Sequence, residues 1–252
     1  MIKENSFNKD DFEFLFEMEQ HHFWHLGRKE IIYALLQRIY RNRLPNITMV
    51  EIGCGNGSVL QFLNSKGVNI EGGDLFLEAL QFCRSRVDVP LYQLDACNTP
   101  FADEQYDVVG LFDVIEHIND DEKVLKEAYR ICKLGGRVIL TVPANRWLWS
   151  YFDVMSCHKR RYSKKELHQK LRGAGFVVEK ISFYMFFLFP VFSLYRAVES
   201  MRFSSNDKEL SSRAEVQTVP LVNEVFLGIL RLEKLLIKGT NLPLGTSLVF
   251  MA

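Results

Sequence analysis

Apolar positions follow two rhythms along this chain. From Asp10 to about Arg43 they recur at helix-like spacing, through Phe12, Phe16, Met18, Phe23, Trp24, Ile31, Ile32, Leu35, Leu36 and Ile39. Pro45 and Asn46 interrupt that pattern. From there on, short β-rich runs alternate with amphipathic stretches. "ITMVEIG" reads as a buried parallel strand ending in a glycine-rich turn, and Ser58 to Lys66 as a helix stopped by Gly67. "VNIEGGDL" predicts a second strand, "LEALQFCRSR" a helix, "PLYQLDA" a short third strand and "YDVVGLFDVIEH" a longer fourth one. Asn119 to Lys133 predicts a helix with acids at its start, ended by Leu134-Gly135-Gly136, and "RVILTVP" a fifth strand. Strands alternating with helices imply a parallel sheet covered on both faces.

Past Pro143 the pattern loosens into "ANRWLWSYFDVMSCHKRRY", a long loop of the kind that carries function. Ser163 caps a helix to about Arg172, with Glu166 completing a capping box, and "VVEKISFY" is a strand. An apolar helical stretch to about Met201, a polar linker "SSNDKELSSRAE", a helix from about Leu221 to Lys238 and the strand "GTSLVFMA" complete the chain.

Composition narrows the class. The 252 residues are 48% hydrophobic with zero formal net charge, so a real core is available and no global charge invites nucleic acid. Five scattered cysteines form no C-x-x-C pair, which argues against a zinc ribbon or disulfide framework and for a reducing, cytoplasmic setting. The start lacks a secretory pattern, and the apolar run "FYMFFLFPVF" is short and broken by Pro190.

The most specific chemical signal is "VEIGCGNGSVL". Glu51 leads into Gly53, Gly55 and Gly57, whose G-x-G-x-G spacing differs from the G-x-G-x-x-G of a dinucleotide site. Asp74 closes the second strand about twenty residues later, at the distance of a ribose-binding carboxylate. Asp95 closes the third, at the edge where the same crevice would meet a base.

"VEIGCGNG", "GGD", "LDA", "YDVVGLFDVIEH" and "LGGRVILTVP" stand in the order and spacing of class I S-adenosylmethionine-dependent methyltransferases, which this chain resembles over roughly residues 47–143. The resemblance implies a Rossmann-like, doubly wound seven-stranded α/β sheet whose last strand is antiparallel. It implies that Glu51, Gly53, Gly55 and Gly57 surround the methionine moiety of S-adenosylmethionine. Asp74 and Leu75 would lie at the ribose, Asp95 and Ala96 at the adenine, and Phe112 and Asp113 near the cofactor. The expected organisation is a helical lid (1–45), a cofactor-binding core (46–184), a helical cap or insertion (185–240) and a final core strand (241–252).

Methyl transfer needs a base only where the acceptor must lose a proton, and His117 and His158 are the candidates, both in loops at the carboxyl edge of the sheet. Asp113, Glu116 and His117 also form a D-x-x-E-H pattern that resembles the metal-holding E-x-x-E-H of quinone-biosynthesis O-methyltransferases and small-RNA 2′-O-methyltransferases. With His158 they are candidate ligands for a divalent ion, ranked below the base and below simple helix capping. Arg160 and Arg161 could clamp an anionic group of the acceptor, Tyr162 could bond a hydroxyl, and Trp24 in "HHFWH" could close over the site. Solvated basic residues before a helix are the plainer reading of that arginine pair. The N-terminal "HFW" together with "HKRRY" is similar to bacterial type 11/12-like methyltransferases.

The expected reaction is methylation of a small or lipid-like acceptor at oxygen. N-methylation of an amine or peptide, a non-catalytic cofactor-binding partner and, last, a nicotinamide enzyme are the alternatives. Apolar residues of Phe183 to Leu194 and of the Leu221 helix could cap the acceptor, form a homodimer face or touch a membrane surface peripherally.

Overall fold

A computed structural model describes residues 9–202 and 219–252. Its centre is a seven-stranded sheet in the order β3-β2-β1-β4-β5-β7-β6, made of β1 (Thr48–Ile52), β2 (Asn69–Asp74), β3 (Leu91–Gln93), β4 (Tyr106–Phe112), β5 (Cys132–Pro143), β6 (Lys180–Tyr184) and β7 (Ser247–Met251). Only β7 runs antiparallel to its neighbours, as the resemblance implies. Met49, Val50 and Ile52 of β1 and Val108, Val109 and Leu111 of β4 are all buried, because a central parallel strand is covered on both faces and has no solvent side to make polar. The chain leaves β1 toward β2 on one side and later returns as β4 on the other. That reversal opens a crevice past the carboxyl ends of β1 and β4.

The helical N-terminal region is two helices rather than one, α1 (Lys9–His21) and α2 (Phe23–Tyr40), and a 3-10 turn then carries Pro45. His22 separates them: its backbone is extended and its Nδ1 accepts the Trp24 N–H at 3.3 Å, capping α2. α2 belongs to the core, with Ile31, Ile32, Leu35 and Leu36 fully buried. α1 lies outside that core. It lies over the glycine turn and α4 (Leu77–Arg86), where the Phe12 ring meets Phe76 and the Phe12 carbonyl accepts from Asn56.

Other boundaries also move. α3 is Ser58–Ser65 and α5 is Asp121–Ile131, whose N-cap Asp120 accepts from Lys123 N. β5 begins at Cys132, so Leu134-Gly135-Gly136, expected to follow the helix, lies within the strand. A register irregularity and the positive φ of Gly135 (77°) absorb the extra residues. The loop after β5 holds a five-residue helix α6 (Tyr151–Met155), then α7 (Lys164–Ala174) capped by Ser163. α8 (Phe189–Arg202) and α9 (Pro220–Gly239) follow β6, and the linker "SSNDKELSSRAE" lies outside the described residues. Among the described residues no helix is long and apolar enough to cross a membrane.

α9 packs along α2. Asn223 accepts from Phe23 N and donates to the His21 carbonyl, while Arg231 and Lys234 both bond Glu30. The approach is close at Gly27, where a Cβ would stand 2.4 Å from Leu230 Cδ1 and 2.9 Å from its Cβ. Gly27→Val should therefore destabilise the fold by ~1–3 kcal/mol through overpacking, read as a lowered midpoint in chemical denaturation. An unchanged midpoint would show that the two helices are not in this contact.

A second contact ties α5 to the loop after β3. The Glu127 carboxylate accepts from Arg130 and from both the hydroxyl and the N–H of Thr99, and the Arg130 bond is the main cause that holds its pKa down to about 2. Since about 4.3 is expected in the unfolded chain, this contribution is fully present above that pH and disappears as pH falls through about 2. The stability gap between wild type and Glu127→Gln should narrow on acidification from about pH 6 to about pH 2.5. A gap that stays constant would contradict the assignment.

Candidate active site

The turn after β1 is built for close approach to its backbone. Gly53, Gly55 and Gly57 have φ of +74°, +51° and +78°, the left-handed region that glycine alone enters cheaply. A Cβ at Gly53 would also strike Val114 at 2.5 Å, whereas one at Gly55 would meet nothing within 4 Å. The middle glycine thus faces open space while its neighbours are packed from behind. Gly53 N and Cys54 N both donate to the Gly73 carbonyl, which binds this turn to β2.

Asp74 completes the crevice floor. Its Oδ2 accepts from Gly55 N at 2.8 Å and its Oδ1 from Phe76 N at 2.9 Å, so the carboxylate is aimed by backbone on both sides and each oxygen keeps a lone pair. Burial nevertheless pushes its pKa up. Glu51, under the turn, is 2% exposed, and its Oε2 has no hydrogen-bond partner; burial drives that carboxyl well above its ordinary range. A buried carboxyl oxygen without a donor, beside three glycines and a held aspartate, fits the amino and ribose ends of an aminoacyl-nucleoside such as S-adenosylmethionine. Leu75 is exposed at the rim and Ala96 lies buried beyond it. Asp95 is exposed and its Oδ1 accepts from Cys97 N, so it caps its own turn.

On the acceptor side, the candidate ligands Asp113, Glu116, His117 and His158 divide into two groups. Asp113 takes a positive φ (57°), and its carboxylate turns to Arg28 of α2 and to the Thr141 hydroxyl. It therefore leaves the candidate ligand set, because a cation already occupies it. Phe112 turns back over Gly110 toward Met49, into the core. Glu116 and His117 lie on the 3-10 turn Ile115–His117 and meet His158 from the loop after β5. One ligand atom from each of the three lies within 4.8 Å of the others, and the two imidazole rings stand edge-to-face at 4.9 Å. Glu116 is fully buried with no partner for either oxygen, and desolvation first, then the Asp113 charge, raises its pKa well above the usual carboxylate range. Burial first, and then His158, pushes His117 down to about 4, so it is neutral at physiological pH.

The loop carrying His158 is fastened to the end of β4. Lys159 N donates to the Glu116 carbonyl, and Arg160 donates to the Asn119 carbonyl and pairs with Asp121. Arg161 is 3% exposed and bonds Asp153 and the Ala144 carbonyl. Tyr162 is fully buried, its hydroxyl donating to Asp121 at 2.6 Å. Both are expected at the acceptor; in the structure Arg161 braces the loop from within and Tyr162 ties it to the start of α5. Trp24 is half-buried, with the Arg28 guanidinium 4.6 Å over its ring.

Three residues absent from the expected site belong to it. Arg28 is the buried cation of the crevice, Tyr184 stands at the end of β6 close enough to Asp113 and Glu116 to feel their charge, and Asp153 bonds His158. Arg28 had a signal, as a charge one helical turn from Trp24 on an apolar face, and so had Asp153, in the S-x-x-D capping box from Ser150.

The family model described as "Methyltransferase domain" matches residues 23–181. A probable S-adenosylmethionine-dependent methyltransferase of Mycolicibacterium smegmatis is 27% identical over 64% of this chain and 62% of its own length. A ubiquinone biosynthesis O-methyltransferase of Pseudomonas entomophila is 30% identical over 40% of this chain and 46% of its own. The chain thus spans less than two thirds of these curated relatives. Among solved structures, a protein of Thermotoga maritima described as a possible histamine N-methyltransferase superposes with a TM-score of 0.53 at 26% identity, covering 68% of this chain and 78% of that one. With the sheet order, the glycine turn and Asp74 in place, the chain belongs to the methyltransferase domain family and has the class I S-adenosylmethionine-dependent fold.

Proposed function

We propose that this protein transfers a methyl group from S-adenosylmethionine to an oxygen of a small-molecule acceptor, with His158 as the general base. The observation that carries this reading is the imidazole of His158, bonded through Nδ1 to buried Asp153 at 2.8 Å and set beside neutral His117 and Glu116. A paired imidazole at the crevice is what a hydroxyl acceptor requires, whereas a free amine acceptor needs no such help. S-adenosylmethionine supplies an electrophilic methyl group on a sulfonium; the chain's own work is to seat it, orient the acceptor and take the proton.

In this reading Glu51, the glycine turn and Asp74 hold the cofactor, with Leu75 and Ala96 toward its base. α1 (residues 9–21) closes that side, and α8 flanks the loop after β5, with Phe189 against Trp147 and Arg196 donating to the Leu148 carbonyl. Calorimetry should show S-adenosylmethionine binding that Asp74→Ala weakens by at least ~10-fold, with NAD silent. Unchanged affinity would remove Asp74 from the ribose role.

For the base, a panel of phenols, alcohols and amines with S-adenosylhomocysteine release as readout is the decisive screen. His158→Gln should lower kcat by ~100-fold or more on a hydroxyl acceptor, with the loss easing at high pH. A panel that yields amine acceptors only, indifferent to this change, supports N-methylation instead.

One observation favours a second reading: the Glu116, His117 and His158 ligand atoms cluster closely enough to share a divalent ion. Against it, Arg28 is near Glu116, and the Asp113 carboxylate is already engaged. Metal analysis of the purified protein and the effect of EDTA on magnesium-free activity separate the two readings.

A further inference from the structure

We propose that Asp153 is a positioning residue that fixes His158 as the tautomer with its proton on Nδ1, leaving Nε2 as the nitrogen offered to the acceptor. The inference rests on His158 being the base and adds the group that prepares it. Three contacts carry it. Asp153 Oδ1 lies 2.8 Å from His158 Nδ1, the backbone N–H of His158 donates to the Asp153 carbonyl at 2.8 Å, and Asp153 itself is 0% exposed. The ring is therefore held at both its side-chain and main-chain ends by one residue.

The tautomer follows from the donor inventory. Arg161 Nε donates to the same Oδ1 at 2.7 Å, and the Ser150 N–H donates to Oδ2 at 2.8 Å. A carboxylate receiving a guanidinium and a backbone amide is ionised and can only accept. The ring nitrogen facing it must then carry a proton, since a bare lone pair at 2.8 Å would be repelled. When the ring is neutral, Nε2 is the unprotonated nitrogen, as a general base requires. Arg161 thereby gains a role different from acceptor binding: it keeps Asp153 charged and in place. Residues Ser150, Asp153, His158 and Arg161 form one unit of local sequence, so the loop brings its own orienting group wherever it docks.

The test needs no acceptor. Long-range proton–nitrogen correlation on the full-length protein with labelled histidine rings reports which nitrogen is protonated, and His158→Gln identifies the resonance. Above the pH at which the ring loses its charge, wild type should show protonated Nδ1 and bare Nε2. Asp153→Asn should shift the population toward the opposite tautomer, while S-adenosylmethionine affinity stays within 2-fold of wild type because Asp153 does not reach the cofactor turn. A wild-type ring protonated on Nε2 overturns the proposal without any variant, which covers the case in which Asp153→Asn does not fold. A tautomer unmoved in a folded Asp153→Asn also overturns it. Loss of the base reading is distinguishable: His158→Gln would then keep full methyl transfer while the Nδ1 tautomer stands.

Discussion

The buried contact between Arg28 and Asp113 ties this active site together. Arg28 sits on α2, which the hydrophobic core and α9 hold against the sheet, and Asp113 is the first residue beyond β4. Burial alone would lower the Arg28 pKa, and the charge and hydrogen bond of Asp113, together with Tyr184 and Glu19, outweigh that effect. An ion pair with both side chains this deeply covered adds little net stability over an apolar pair, but removing one partner strands the other charge at a cost of ~3–5 kcal/mol. Its value lies in geometry: it anchors Asp113, whose left-handed backbone turns the chain from β4 into the 3-10 turn that carries Glu116 and His117.

Burial, acting against the charge of that cation, sets the state of the surrounding acids. Glu51 and Glu116 are both influenced by the Arg28 charge, yet neither bonds it, and burial drives both toward the neutral form. Burial thus disfavours charge on Glu51 and Glu116, which stand near the held Asp74 and neutral His117. Such groups are not repelled by a cationic sulfonium and can ionise in response to it, and neutral groups cost less to keep dry than charges do.

How much of this could be read from the residues depends on the range of the interaction. The succession of strands and helices rested on patterns confined to single elements, since Val108 to Leu111 or Met49 to Ile52 announce buried strands by themselves, and the sheet's layout rested on the family resemblance. The glycine turn and Asp74 were legible for the same reason: a turn needing three left-handed residues leaves few options besides glycine. Contacts between distant segments were not legible. Nothing local says that Arg28 meets Asp113 across 85 positions, and without that pairing D-x-x-E-H looks like one set of three candidate ligands. Likewise Arg161 and Tyr162 looked free because their partners, Asp153 and Asp121, contribute only through the folded loop. The split at His22 was invisible to periodicity, since apolar residues continue in phase across the break.

The two halves of the site are held by different physics, and this bears on how each can vary. The cofactor half depends on backbone: amides of Gly55 and Phe76 aim Asp74, and left-handed glycines keep the turn open. Side-chain substitutions elsewhere barely touch that geometry, so it is suited to a constant ligand. The other half depends on side chains from a loop that Lys159, Arg160 and Tyr162 staple to residues 116–121 beyond β4 and that Asp153 braces internally. Because the bracing is local to residues 150–162, the pocket wall beyond it can change without disturbing the histidine. Under the proposed function, a rigid cofactor seat combined with a self-supporting histidine loop would allow acceptor preference to shift while the chemistry is retained.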